Sequence, residues 1–526
     1  MATIEKLRPE QLEMATHDAG ESSNTIHGRA TAGREHSRSF TQALRKDPKL
    51  LFWIFVMIWT LITRGFENQS SGSVISIAAF KQEFGQSALN GGANGAAIIG
   101  AFAASYFADK FGVKPVILAF AALNMVSVGI EFASISIGMY LAGKLLNFIA
   151  IGAFLNLCTA YVADIAPLAI RSSCIGFCNL AQCIGPFISA IMSNFTSTWA
   201  SSWSWKALIC AQWGFCTIAF IALWFLPESP VYLIRANKVD SARKSLQRLY
   251  SDSSDAEGHF ELIQATIEEA EAQKKASYVE CFRGTNLRRT LIAILVFQSE
   301  AYSGLGFIGN YGALMYQYLG ISDSESFKIQ IGAQILSISG ALTAMIIGDF
   351  FGRRPMYITG CAALVVLLIC MGISGSINNV AAATASVGFL TMFNFVYNAG
   401  VGSIVYTLAG EIPTSVLRQK TLAIAISASA VSNTFWSFVS PYIYNPGYGD
   451  LKAKIGFIFG ACMVFFLITA YFYVPETRRR TYEELDELFM SHVSARKFKK
   501  HVTVAEQRAY EAYDIVEAKE GRGASI

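Results

Sequence analysis

Apolar residues run along this chain in blocks of about twenty, and about twenty apolar residues is the length that crosses a bilayer core as a helix. Such blocks begin near Leu51, Gly91, Pro115, Met139, Cys174 and Ala207, and again near Thr290, Ile329, Met356, Ala385, Thr421 and Ile455, each bounded by charges, proline or glycine. Between the two sets, the stretch from Glu228 to Arg289 is polar. Within it Ala242, Leu246 and Leu249, then Leu262, Ile263 and Ile267, recur at helical spacing on a charged background, which predicts amphipathic surface helices rather than spans. The pattern as a whole predicts an all-α membrane protein with twelve transmembrane helices in two pseudo-symmetric bundles of six. The expected divisions are a disordered tail over residues 1–50, bundles over 51–227 and 290–475 with a linker over 228–289 between them, and a polar tail over 476–526.

Composition agrees with the pattern: 53% of the 526 residues are hydrophobic and only 15% are charged, against roughly a quarter in soluble domains. A net charge of +4 is too small to point to a nucleic-acid partner. Lys110, Lys114, Arg171, Arg353, Arg354, Arg418 and Arg478 fall in loops on one side, whereas the loops near Ser134 and Gly375 carry almost none. The positive-inside rule then predicts that both termini are cytoplasmic. The polar first fifty residues, with acids as common as bases, resemble neither a secretory signal nor a transit peptide. The ten cysteines form no CxxC pair and have no histidines at zinc spacing, so no metal is expected, and Cys174, Cys178 and Cys183 read as small packing residues. No nucleophile and base arrangement or phosphate loop is present, which disfavours an enzyme, and no cofactor is expected.

The first block is interrupted by Arg64-Gly65-Phe66-Glu67-Asn68-Gln69-Ser70-Ser71. A carboxylate at mid-depth costs about 2.5–3.5 kcal/mol on insertion scales, so Glu67 needs a partner or a task.

Three motifs occur twice in the same order. Asp109 with Gly112 and Lys114 recurs as Asp349 with Gly352, Arg353 and Arg354; Asp164 with Arg171 recurs as Glu411 with Arg418; Pro227-Glu228-Ser229 recurs as Pro475-Glu476-Thr477. The offsets are all about 240–250 residues, which marks a duplication. These acids and arginines form candidate latches: Arg353 and Arg354 can bond helix C-terminal carbonyls and face Glu411, and Arg171 can face Asp109 or Glu228. Such pairs are expected to hold the two halves together on the loop-rich side in one state and to part in the other.

With these motifs the chain resembles the sugar porter family of the major facilitator superfamily from about Leu51 to Phe489. Within that family it is most similar to the fungal α-glucoside permeases, on Cys281-Phe282-Arg283-Gly284-Thr285-Asn286, on Leu417-Arg418-Gln419-Lys420-Thr421, and on Ser303-Gly304 through Tyr311. The resemblance implies a plasma-membrane importer that works by alternating access as a monomer, with sugar and protons as its partners. A hexose or polyol uniporter, or a non-transporting receptor, are the competing expectations.

A sugar site needs amides and hydroxyls for the sugar's hydroxyls and aromatic faces for its CH patches. The candidates are Asn179, Gln182, Gln298, Glu300, Tyr302, Asn310, Tyr406 and Asn433; the resemblance places Asn179, Tyr406 and Asn433 at sugar-contacting positions. Three partners compete for Glu67: Arg64 one turn earlier, cavity water, and Lys144. The resemblance aligns Glu67 and Lys144 with an aspartate and an arginine of proton-coupled members, which implies a proton-coupling pair.

Overall fold

The computed structural model describes residues 47–84, 91–166, 168–199, 201–272, 277–377, 379–414, 417–444, 449–478, 480, 482–501 and 503. Residues 1–46 of the expected N-terminal tail and the last 23 residues fall outside the described residues, and the first helix begins inside the expected tail, at Pro48. Throughout the described part the chain is helical. The first half holds α1 (Pro48–Ser76), the short α2 (Ala78–Phe84), α3 (Gly91–Phe111), α4 (Val113–Phe132), α5 (Ile137–Ile165), α6 (Leu168–Thr196) and α7 (Trp203–Trp224). Three helices follow at the linker: α8 (Pro230–Arg235), α9 (Val239–Leu249) and α10 (Ser253–Ala272).

The second half begins with α11 (Gly284–Tyr302) and α12 (Leu305–Tyr318), one span broken at Ser303-Gly304. It continues through α13 (Asp323–Phe351), α14 (Arg353–Ser374) and α15 (Val380–Val396). A π-helical turn over Tyr397–Gly402 joins α15 to α16 (Ser403–Glu411), and α17 (Arg418–Tyr444), α18 (Ile455–Tyr473) and the terminal α19 (Tyr482–Met490) complete the half. Among the described residues eleven helical stretches are long and apolar enough to cross a membrane. The 21-residue α3, about 30 Å long at 1.5 Å per residue, is the twelfth.

Starts are set locally. Ser136 caps α5 by accepting from the Met139 N–H at 3.3 Å, and Ser322 caps α13 in the same way from Glu325 at 3.4 Å. The duplicated motif explains two glycines. Gly112 and Gly352 sit at φ +98° and +91°, and a Cβ there would lie 2.6 Å from a Glu228 carboxylate oxygen and 2.7 Å from a Glu476 one. The glycine lets the acid tuck beneath the turn and cap the next helix.

Each half has its own apolar core, one built on residues such as Phe154, Leu157 and Tyr161, the other on Tyr357, Leu408 and Phe459. A third cluster, at the end remote from the linker, takes Phe66, Phe80, Tyr140 and Trp205 from the first half and Ala313 and Phe327 from the second. The two halves meet through α1 against α12, α6 against α13, and α3 against α17.

The packing of α1 on α6 is backbone-close. A Cβ on Gly65 would stand 2.9 Å from both the Gln182 carbonyl oxygen and Pro186 Cδ, and one on Gly185 would strike the backbone of Ile62, Gly65 and Phe66. Small residues permit such an approach between membrane helices. Gly185→Leu is therefore expected to separate α1 from α6. Gel filtration of the solubilised protein should show little monodisperse material, and a normal profile would contradict the packing.

Candidate functional site

The interruption in α1 lies where that helix meets α5 and α7. Glu67 and Lys144 are each 1% exposed, and Lys144 Nζ stands 2.6 Å from Glu67 Oε1. The same ammonium lies 2.8 Å from Oε2 of Glu131, near the end of α4, which is fully buried. Hydroxyls complete the shell: Ser70 donates to Glu67 Oε2 at 3.3 Å and Ser71 to Oε1 at 3.2 Å. The Asn147 amide donates to Glu131 at 2.9 Å and to Gln212 at 3.3 Å, and Gln212 in turn donates to Ser70 at 3.1 Å. The Tyr140 ring centroid is 5.3 Å from the ammonium. One cation thus serves two carboxylates, and with both ionised the centre carries one negative charge in excess. A buried excess charge is costly, and one proton shared by the carboxylates removes it.

Arg64 does not pair with Glu67. Its guanidinium donates instead to Gln182 Oε1 on α6, and Glu300 of α11 and Tyr406 of α16 stand within Coulombic range of it. Tyr397, on the π-helical turn, stands near Glu300. Arg64, Gln182, Glu300, Tyr397 and Tyr406 therefore converge from both halves on one central space. Tyr406 is 50% exposed there with its ring edge-on to Phe297, at 5.2 Å between centroids. Asn179 donates to Ser403 across the halves at 3.4 Å, and the side-chain oxygen of Asn433 lies beside Gly306. Gln298 has a buried carbonyl oxygen without a partner. The Tyr302 ring packs on Trp436 at 5.7 Å and Phe466 at 5.8 Å within the second half. The Asn310 side chain lies outside the described residues.

At the end remote from the linker the halves are closed. Lys81 Nζ donates to Gln317 at 2.7 Å, Gln317 donates to the Ser76 carbonyl at 3.1 Å, and Gln334 donates to Gln69 at 3.2 Å.

The described contacts of the duplicated acids and arginines lie within each half, and those of Arg353 with Glu411 and of Arg354 with a helix C-terminal carbonyl are among the ones expected. Glu228 accepts from the backbone N–H groups of Val113 and Lys114 at 2.8 and 3.1 Å, and Glu476 from Arg353 and Arg478, both at 3.0 Å. Asp164 accepts from Ser229 at 3.3 Å. Arg353 lies 3.6 Å from Glu411, and Arg354 donates to the Tyr471 carbonyl at 2.7 Å. Every one of these contacts joins parts of the same half. A carboxylate beneath a helix start finds donors in that half's own backbone. No side-chain contact of Asp109 is seen among the described contacts, and the side chains of Arg171, Asp349 and Arg418 lie outside the described residues.

Glu131, Asn147, Gln212 and Tyr397 were not singled out by sequence reasoning, and Arg64 was singled out only as a local partner for Glu67. Glu131 had a signal, since it is the one acid inside the block from Val113 to Phe132.

Two six-helix halves around a central polar space, one of them holding a buried charge centre, define a membrane transporter of the major facilitator type. Residues 55–489 match the sugar (and other) transporter family, and the chain belongs to it. The general α-glucoside permease of Saccharomyces cerevisiae is 29% identical over 92% of this chain and 81% of that protein. The maltose permease MAL31 of the same yeast is 28% identical over 93% and 82%, and the Aspergillus fumigatus MFS transporter fmqE is 27% identical over 93% and 96%. Among solved structures, the proton:xylose symporter XylE bound to 6-bromo-6-deoxy-D-glucose superposes with a TM-score of 0.68 at 20% identity, covering 84% of this chain and 99% of XylE. These relatives are transporters, and this chain is a multi-pass sugar-family transporter, not an enzyme.

Proposed function

We propose that the protein is a proton-coupled importer of an α-glucoside, of the maltose or sucrose class, in the plasma membrane. The observation that carries the coupling is the buried centre in which Glu67 and Glu131 share Lys144. Its neighbour Ser70 is tied through Gln212 to α7, and Gln69 on the same helix reaches Gln334 of the second half. Protonation at the centre is thus mechanically connected to the interface that opens and closes. The relatives named as α-glucoside and maltose permeases support the substrate class. The asymmetry of lysine and arginine in the loops supports cytoplasmic termini. One chain supplies both halves of the cavity, which supports a monomeric unit.

In the cycle, the outward-open protein takes a proton on Glu67 and sugar between the halves. The halves then rock, and the contacts of Lys81, Gln317 and Gln334 close the outer end. Proton release to the inside lets Glu67 return to Lys144 and favours resetting. Proteoliposomes are expected to take up maltose or sucrose, and an inward proton gradient is expected to drive accumulation severalfold above equilibrium. Uptake that equilibrates regardless of the gradient would replace symport with uniport, and no uptake of maltose, sucrose, glucose or xylose would overturn sugar transport.

A further inference from the structure

On the linker side, the start of α1 and the linker helix α9 enclose a pocket of about 440 Å³ lined by Pro48, Lys49, Phe52, Trp53 and Arg248. The transport cycle makes no use of it. Its two cations come from elements far apart in the chain, and both are exposed. Arg248 is held in place, because its guanidinium donates to the Phe225 carbonyl just past the end of α7 at 2.8 Å. That bond takes one of the five N–H donors a guanidinium offers. Lys49 has no side-chain partner among the described residues. The acid beside it, Asp47, is buried and accepts from the Ser251 backbone N–H at 3.0 Å, which ties the turn after α9 to the start of α1. In sequence, Arg45 and Lys46 add two further positive charges just before the span.

The aromatic residues fix the depth of the pocket. Phe52 is 56% exposed beside Trp53, and at the end of α7 Trp224 and Phe225 are 59% and 61% exposed. Exposed aromatic rings at the ends of spanning helices, tryptophan above all, mark the level where acyl chains give way to headgroups. The bond to Phe225 therefore pins Arg248 at headgroup level, and Lys49 precedes Phe52 on the polar side of the same turn. Basic side chains at that level meet lipid phosphates, and the anionic leaflet is the cytoplasmic one, to which the positive-inside rule assigns this end. A soluble anion would gain nothing from Phe52. An acidic peptide would leave backbone groups unpartnered against a lipid-facing apolar wall.

We infer that this pocket binds one anionic phospholipid, with its phosphate between Lys49 and Arg248 and the upper part of an acyl chain along Phe52. A zwitterionic headgroup brings a cation of its own to a place that already holds two, and like charges repel. A phosphomonoester headgroup, with up to about two negative charges, matches the pair best. Lys49 belongs to the helix that carries Glu67, and Arg248 to the linker between the halves, so a bound headgroup joins the two. The inference is independent of which solute the protein carries.

The test is native mass spectrometry of the purified, delipidated full-length protein with phosphatidic acid, phosphatidylserine or phosphatidylcholine added. One phosphatidic acid is expected to bind about 30-fold more tightly than phosphatidylcholine, about fivefold for each cation at a membrane surface, with phosphatidylserine between them. Lys49→Gln combined with Arg248→Gln should weaken phosphatidic acid by the same factor and leave phosphatidylcholine unchanged. Lys110→Gln removes an exposed charge from another turn on the same side and should stay within about twofold. Melting curves establish that each variant is folded. Should the double variant not fold, Lys49→Gln alone, a change at an exposed side chain, is expected to lose about fivefold. Equal binding of phosphatidic acid and phosphatidylcholine, or an equal loss in Lys110→Gln, would overturn the site and leave only diffuse attraction to net charge. Full displacement of the lipid by millimolar glycerol 3-phosphate would overturn it in favour of a soluble phosphate. A dimer in the same spectra that the double variant dissolves would give the pocket to a second copy of the chain.

Discussion

Glu67→Gln is expected to exchange labelled for unlabelled sugar at a rate within a few-fold of the unmodified protein and to lose gradient-driven accumulation completely. Glutamine preserves the shape and keeps one of the two oxygens that accept from Ser70 and Ser71 at 3.3 and 3.2 Å, while the other hydroxyl can turn to accept from the amide NH2. It cannot take up or release a proton. Lys144 keeps Glu131 at 2.8 Å, so its charge remains balanced and the fold should tolerate the change. The variant therefore mimics the protonated carrier in every state. Sugar can still move the halves, since exchange needs only the loaded carrier to rock. Counterflow and gradient-driven uptake in the same proteoliposomes separate the two outcomes. If accumulation persists, Glu67 is a packing residue and the coupling lies elsewhere. If exchange is lost too, the carboxylate is needed for movement itself and not for coupling alone.

Much of the architecture was legible in the sequence because it follows from the bilayer's thickness: blocks of apolar residues closed by charges have few alternatives to spanning helices. The duplicated turn was legible too, and its glycines find their reason in Glu228 and Glu476 tucked beneath them. What the acids do was not. Opposite charges at repeated spacing suit a contact within one half as well as one between halves, and sequence order alone cannot tell the two apart. The approach of Lys144 to Glu67 could be named in advance through the family resemblance. Glu131 could not, because an acid one residue from the end of an apolar block looks like the block's boundary. Arg64 was read by its neighbour along the helix, yet once Lys144 occupies Glu67 the guanidinium turns to Gln182. The π-helical turn at Tyr397 was invisible for another reason. A single extra residue in a turn leaves the hydrophobic pattern almost unchanged while rotating the following side chains.

Lys144→Met should be among the most damaging single changes in the first half. Removing the ammonium leaves two carboxylates that had both stood within 2.8 Å of it, buried and facing one another. Breaking a buried pair by deleting one partner typically costs about 3–5 kcal/mol, and here the deletion also turns two attractions into a repulsion. The expected result at neutral pH is a sharp fall in melting temperature of the solubilised protein, with no accumulation of sugar. Partial recovery of the melting temperature is expected near pH 5, because protonating a carboxylate relieves the repulsion. The second substitution is the more informative one. If three groups form a single centre, Lys144→Met with Glu131→Gln should regain much of the lost stability, and so should Lys144→Met with Glu67→Gln, because either removes one of the two facing charges. A pair made only of Glu67 and Lys144 predicts rescue by the second combination and none by the first. Lys144→Met melting within about 2 °C of the unmodified protein would mean that the ammonium holds neither acid. Coupling should stay absent in both doubles, since the cation against which the proton competes is gone.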